Sequence, residues 1–166
     1  NLKAARAKAA IPGQPPVRAF MNSASPGVIA VFQPNKYYAS RELYLQALAD
    51  AMSTEYEAIV AAGLDLQIDA PDLAMGRHIQ FRDVDDTEFL RNARMQVQAL
   101  NHALRNVPAE RVRMHVCWGN YEGPHHRDIG MDKIIDVVLS AKPATVLFEG
   151  ANPRHAHEWE VWAKAG

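Results

Sequence analysis

The segment Arg113-Met114-His115-Val116-Cys117-Trp118-Gly119-Asn120 carries the only cysteine of the 166-residue chain, two positions after a histidine at the end of an apolar run. Side chains at i and i+2 of an extended strand project to the same face, so His115 and Cys117 can reach one ion together. A thiolate and an imidazole are good zinc donors, and a carboxylate would complete the three protein ligands that usually hold a catalytic zinc with its fourth position open. Nitrogen and sulfur donors argue against magnesium and calcium, which take all-oxygen shells. The competing reading is a buried, inert thiol beside a chance histidine, which is how most lone cysteines are used. A single cysteine cannot close an intramolecular disulfide, and spacing alone leaves both readings open.

The elements that would position these residues read as alternating strands and helices. Residues 1–16 form a helix-prone start followed by a Pro/Gly-rich connector from Ile11 to Pro16, and residues 17–166 carry the ordered pattern. The apolar run Gly27 to Phe32, closed by Gln33-Pro34-Asn35, fits a strand buried on both faces. Ser40 is a plausible N-cap for a helix carrying Leu43, Leu48, Met52, Tyr56, Ile59 and Val60 and stopped by Gly63. Leu64 to Asp69 is the second strand, ended by Ala70-Pro71. Asp86 or Thr87 caps the next helix, with Phe89, Val97, Leu100 and Leu104 on one face and Pro108 beyond its end. Val112 to Trp118 is the third strand. A helix containing Ile134, Ile135, Val137, Val138 and Leu139 follows, and Ala144 to Phe148 is the fourth strand.

Helices between short apolar strands imply parallel pairing through right-handed crossovers, hence an α/β fold. Neither GxGxxG after the first strand nor GxxxxGK[ST] occurs, so a nucleotide-binding sheet lacks its usual signature. The expectation is a (β/α)8 TIM-type barrel of which this chain covers about half the strands, since a whole barrel takes about 250 residues. In such a barrel the working residues gather at the C-terminal ends of the strands. Asp69, His115, Cys117 and Glu149 all fall there, and Glu149 would supply the carboxylate.

Bulk properties exclude some partners. Eighteen Lys+Arg against nineteen Asp+Glu leave a formal net charge of −1, with no basic stripe to meet a polyphosphate. Nucleic acid is therefore not expected. The apolar runs are too short for a membrane span or a signal-peptide core, so the protein is expected to be cytoplasmic and without a membrane partner.

Four stretches, VIAVFQPNKYY, LQIDAPDLAMGRH, VCWGNYEGPHHRDI and FEGANPRHAHEWEVW, carry a family resemblance that runs from about Phe20 to Trp162. They resemble the catalytic domain of cobalamin-independent methionine synthase, and in particular its smaller relatives that lack the large N-terminal half. The resemblance implies a zinc-containing α/β barrel that transfers a methyl group to a small-molecule thiol. It implies that His115 and Cys117 are the paired zinc ligands, that Glu149 is the glutamate ligand, and that Asp69 holds the amino group of a homocysteine-like acceptor. The implied donor is a methyl-folate, or a methyl-corrinoid in some smaller relatives; alkyl transfer to another thiol such as coenzyme M, a non-catalytic metal-binding fragment and a metallohydrolase are the alternatives.

The sequence departs from the family pattern in three places. The family's fourth ligand is a second cysteine in a later DCG-type motif, and its proton-transfer histidine also comes later; both are expected beyond Gly166, with the barrel completed by a further segment or a second chain. A strand bearing further substrate contacts would precede Asn1. Ala70-Pro71 stands where the methionine synthases usually have Glu-Pro, which bears on the identity of the acceptor.

Other polar residues have two readings each. Tyr121, Glu122, His125, His126 and Arg127 form either a substrate-touching rim or a solvated loop. His155 and His157 could build a second metal cluster near Glu149, or serve as caps and loop hydrogen bonds. Asp72, Arg77 and His78 could contact substrate or pair with one another, while Asp83, Asp85 and Asp86 suit the start of a helix. Trp118, Trp159 and Trp162 could stack on a cofactor ring but more simply pack in the core.

Overall fold

Four short strands and the helices between them make up the computed structural model, which describes residues 2–120 and 122–165. The strands are β1 (Phe20–Ala24), β2 (Asp65–Asp69), β3 (Val112–Val116) and β4 (Thr145–Phe148). They pair in parallel in the order β1-β2-β3-β4, each strand beside its successor. The main helices are α3 (Arg41–Ala61), α4 (Asp86–Ala103) and α5 (Met131–Leu139), with shorter α1 (Leu2–Lys8), α2 (Pro26–Phe32) and α6 (Trp159–Ala165). The helix-prone start is α1; Asn1, where that expectation began, and Gly166 lie outside the described residues.

The two faces of the sheet differ. Leu66, Ile68, Val112, Met114 and Val116 are buried and join Tyr56, Phe89, Leu100 and Ile134 in one apolar core between sheet and helices. The alternate residues Gln67, Asp69, Arg113 and His115 are only half-buried on the opposite face. There the Arg113 guanidinium lies 3.8 Å from the centre of the Phe20 ring and donates to Gln67 Oε1 at 2.7 Å.

One strand differs from expectation. Gly27 to Phe32 is helical, and the first strand lies earlier, at Phe20–Ala24. Periodicity cannot separate a six-residue apolar run in a strand from one in a buried helix, and here the flanking residues decide. Ser25 is the N-cap, its hydroxyl accepting from Val28 N at 2.9 Å, and Pro26 takes the first turn, where its missing N–H costs nothing. Gly27 permits the helix to approach β2's loop closely, because a Cβ there would sit 1.9 Å from Asp72 Oδ2.

The remaining elements fall where the pattern puts them, with small shifts at the ends. Ser40 caps α3 by accepting from Leu43 N at 3.2 Å, and Gly63 at φ +80° ends the connection. The cap of α4 is Asp85, one residue before the expected position, accepting from Glu88 N at 2.8 Å. Phe89, Val97, Leu100 and Leu104 are buried, as are Ile134, Ile135, Val137 and Val138, whereas Leu43 and Leu139 face solvent. Strand β3 stops at Val116, so Cys117 and Trp118 begin the loop that follows.

Candidate functional site

His115 is the penultimate residue of β3 and stands in register with Asp69, the last residue of β2. Its Nδ1 is 2.6 Å from Asp69 Oδ1. Such a carboxylate contact fixes the tautomer and orientation of a histidine and leaves Nε2 as the ligating atom. Leu147 is the register partner of His115 on β4, and Glu149 is the residue immediately after that strand. Cys117 is the residue immediately after β3. Together His115, Cys117 and Glu149 line a cleft of about 640 Å³, joined by Asn120, Glu122, Asn152 and Arg154.

The electrostatics of the cleft suit a cation. Burial pushes the Cys117 thiol up, and the Asp69 and Glu149 carboxylates push it further, against the opposing pull of the Gly119 backbone N–H. A thiol in that field stays protonated, and a metal cation beside it would reverse the local sign. The donor set of nitrogen, sulfur and carboxylate oxygen is one that zinc accepts. Its members share the cleft without closing to coordination spacing. Among the described residues, the group whose ligand atoms all lie within 4.8 Å of one another is instead His78, His125 and Asp128.

That second cluster gathers several of the polar residues with two readings. Asp128 Oδ1 meets His78 Nε2, both of its oxygens lie 3.1 Å from His125 Nδ1, and Oδ2 lies 2.8 Å from His155 Nε2. His155 also presents Nδ1 to Glu158 Oε2 at 3.2 Å and stacks on Trp118 with ring centres 3.6 Å apart. His155 therefore turns toward Asp128 and Glu158, while His157 is exposed. His126 is exposed and donates from Nδ1 to Pro124 O at 3.1 Å; Tyr121 lies outside the described residues. Asp128 itself escapes a reading of spacing, its one local signal being the three-residue step from His125.

Asp72 and Arg77 do not pair. Asp72 is fully buried and accepts from Ser25 Oγ at 2.7 Å, and burial raises its carboxyl to about 6 despite that hydrogen bond. Arg77 reaches Asp86 at 3.5 Å and Phe81 O at 2.7 Å. Asp85 and Asp86 begin α4, as their position suggested. Trp118 is core, its Nε1 donating to Ile129 O at 2.7 Å; Trp162 stacks on Phe148 at 4.4 Å, and Trp159 is exposed.

Comparison with known proteins points in the same direction as the motifs. A methionine synthase of Saccharolobus solfataricus is 33% identical over 112 residues, which is 66% of this chain and 30% of that protein. Methionine synthases from Saccharolobus islandicus strains are 32% identical over the same length and shares. The chain thus spans about a third of the length of the curated relatives it matches. No protein-family model matches it, and no solved structure matches it significantly. Among the described residues no helix is long and apolar enough to cross a membrane. By these matches about two thirds of the chain is similar in sequence to a part of the methionine synthases.

Proposed function

We propose that the cleft bounded by His115, Cys117 and Glu149 holds a zinc ion and that the protein transfers a methyl group to a homocysteine-like thiol. The observation that carries the reading is the shared cleft of His115, Cys117 and Glu149, with His115 oriented through Nδ1 by Asp69. Relatives named methionine synthase support the reaction class. Zinc bound there would supply its Lewis acidity, lowering the pKa of the acceptor thiol so that its thiolate exists at neutral pH.

The chain's own residues do the rest. Asp69 holds the His115 ring in one tautomer, and its half-exposed carboxylate can also receive the ammonium group of an amino-acid acceptor. Asn152 and Arg154 line the same cleft and offer donors for a carboxylate. The donor is a methyl-folate or methyl-corrinoid bound on the same rim. The consecutive strand order, with helices packed on one face and a polar opposite face, supports half of a (β/α)8 barrel. On this reading further chain, or a second chain, supplies the remaining strands and the fourth zinc ligand. We place the enzyme in the cytoplasm, where a lone thiol stays reduced.

A second reading, alkyl transfer to a different thiol such as coenzyme M, is favoured by Ala70, a buried residue next to Asp69 that stands where the methionine synthases usually have glutamate. Cobalt substitution separates site from function. The wild-type protein with Co²⁺ at this site should show thiolate-to-metal charge-transfer absorption, and Cys117→Ala should lose it. Methyl transfer to homocysteine and to coenzyme M is then compared in a chain completed by its missing strands. Absence of the charge-transfer band in wild type would sink the metal assignment.

A further inference from the structure

We propose that His78, His125 and Asp128 form a second metal site, distinct from the Cys117 cleft, that takes zinc or another borderline divalent cation.

The argument begins with convergence. His78 comes from the loop after β2, whereas His125 and Asp128 come from the loop after β3, yet one ligand atom from each lies within 4.8 Å of the other two. Around a zinc ion with bonds of about 2.0–2.1 Å, tetrahedral donors stand about 3.3 Å apart. His125 Nδ1 already stands 3.1 Å from both Asp128 oxygens, close to that value, and His78 Nε2 meets Asp128 Oδ1 directly, so an ion would take the place of the protons shared in these contacts. Two imidazoles and one carboxylate suit zinc, cobalt, nickel or iron and disfavour magnesium and calcium. Three protein donors leave at least one coordination position for water or a ligand.

The cluster has the surroundings of a built site. The side chains of His78, His125 and Asp128 are 13%, 3% and 11% exposed, so an ion there would be shielded from bulk solvent. Asp128 Oδ2 is held at 2.8 Å by His155 Nε2, and His155 is held in turn by Glu158 at 3.2 Å and by the Trp118 ring. Glu158 is itself fixed by accepting from Met131 N at 2.8 Å. This is the outer support that ligating carboxylates usually have. An entry path exists as well, because His78 lines a cavity of about 610 Å³, adjoining the Cys117 cleft at Gly119 and Asn120, together with Met75, Ile79, Arg82 and Trp118.

The test uses the full untagged chain carrying Cys117→Ala, which removes the thiolate of the other site. The protein is stripped with chelator, titrated with Co²⁺ or Zn²⁺, and its bound metal counted after gel filtration. The expected result is near one metal per chain, with cobalt d–d absorption and no thiolate charge transfer. Adding His78→Gln or Asp128→Asn should weaken binding by about tenfold or more, and His155→Gln, a positioning residue, by about tenfold. Circular dichroism checks that each variant is folded. If a variant does not fold, a metal-dependent rise in the Tm of Cys117→Ala remains as an independent readout. No bound metal and no Tm shift in Cys117→Ala would overturn the proposal, as would binding unchanged by both His78→Gln and Asp128→Asn. Failure of the cleft assignment leaves these outcomes unaffected, since its signal is the thiolate band of wild type.

Discussion

Single residues here do work that depends on what faces them. Asp69 matters through His115: replacing it with Asn leaves the shape but removes the charge that fixes the imidazole, so Asp69→Asn should lower zinc affinity at the cleft about 10- to 100-fold, measured by competition with a chromophoric chelator. An unchanged affinity would mean that Asp69 does not orient His115 for a metal. Asp72 shows the opposite situation, a carboxyl taken out of water. Burial raises it to about 6 from an ordinary 3.8, with the Ser25 hydroxyl and Arg41 opposing. A carboxyl raised by folding favours the native state most where it is protonated in both states, below about pH 4, and that stabilisation is lost as the pH climbs through 6. Asp72→Asn cannot titrate. Relative to wild type it should therefore gain stability between pH 4 and pH 8, by up to about 3 kcal/mol in urea unfolding. A difference between the two proteins that stays constant over this range would refute the assignment.

At the scale of elements, the decisive region is the junction of β1 and α2. Ser25 caps α2 with its hydroxyl oxygen and donates the same hydroxyl's proton to Asp72, so one side chain starts a helix and satisfies a buried acid. Ser25→Ala should lower stability by about 1–3 kcal/mol, the sum of a lost cap and a weakened buried hydrogen bond. Gly27→Ala should cost about 1–3 kcal/mol for a different reason, since its Cβ would collide with the Asp72 carboxylate. Thermal melts followed by circular dichroism check both; a neutral Gly27→Ala would show that α2 can slide away from Asp72. The same junction is where a reading of pattern goes astray. VIAVF has the composition of a strand, and only Ser25, Pro26 and the close approach to Asp72 make it a helix. Longer elements were legible because their signals repeat. Ser40 and Gly63 bracket α3, and the buried positions of α4 recur at helical spacing.

At the scale of the whole molecule, one face of the sheet is covered by helices and the other is not. Phe20 is exposed on the uncovered face, and β1 and β4 are the edge strands of the sheet among the described residues. Edge strands beside uncovered apolar side chains invite pairing with another chain. With a net charge of only −1 there is little repulsion to resist it. The 166-residue chain should therefore sediment as species larger than a monomer, and Phe20→Lys should suppress this. A clean monomer at high concentration would speak against this face and its edges as pairing surfaces. By itself the sequence determined what is local: the i, i+2 step that sends His115 and Cys117 to one side, the caps and glycine stops of the long helices, and the alternation of strand and helix. These follow from backbone geometry within a few residues. Only the tertiary structure decided which distant residues meet, because register and loop packing are settled by contacts formed across the chain. The pairing of Asp69 with His115 is set by the β2 and β3 register, and the meeting of His78, His125 and His155 on Asp128 by three loops converging on one rim. Apart from the three-residue step from His125 to Asp128, neither leaves a mark in spacing, since the other partners are 27 to 50 positions apart and nothing short of the folded sheet brings them within reach.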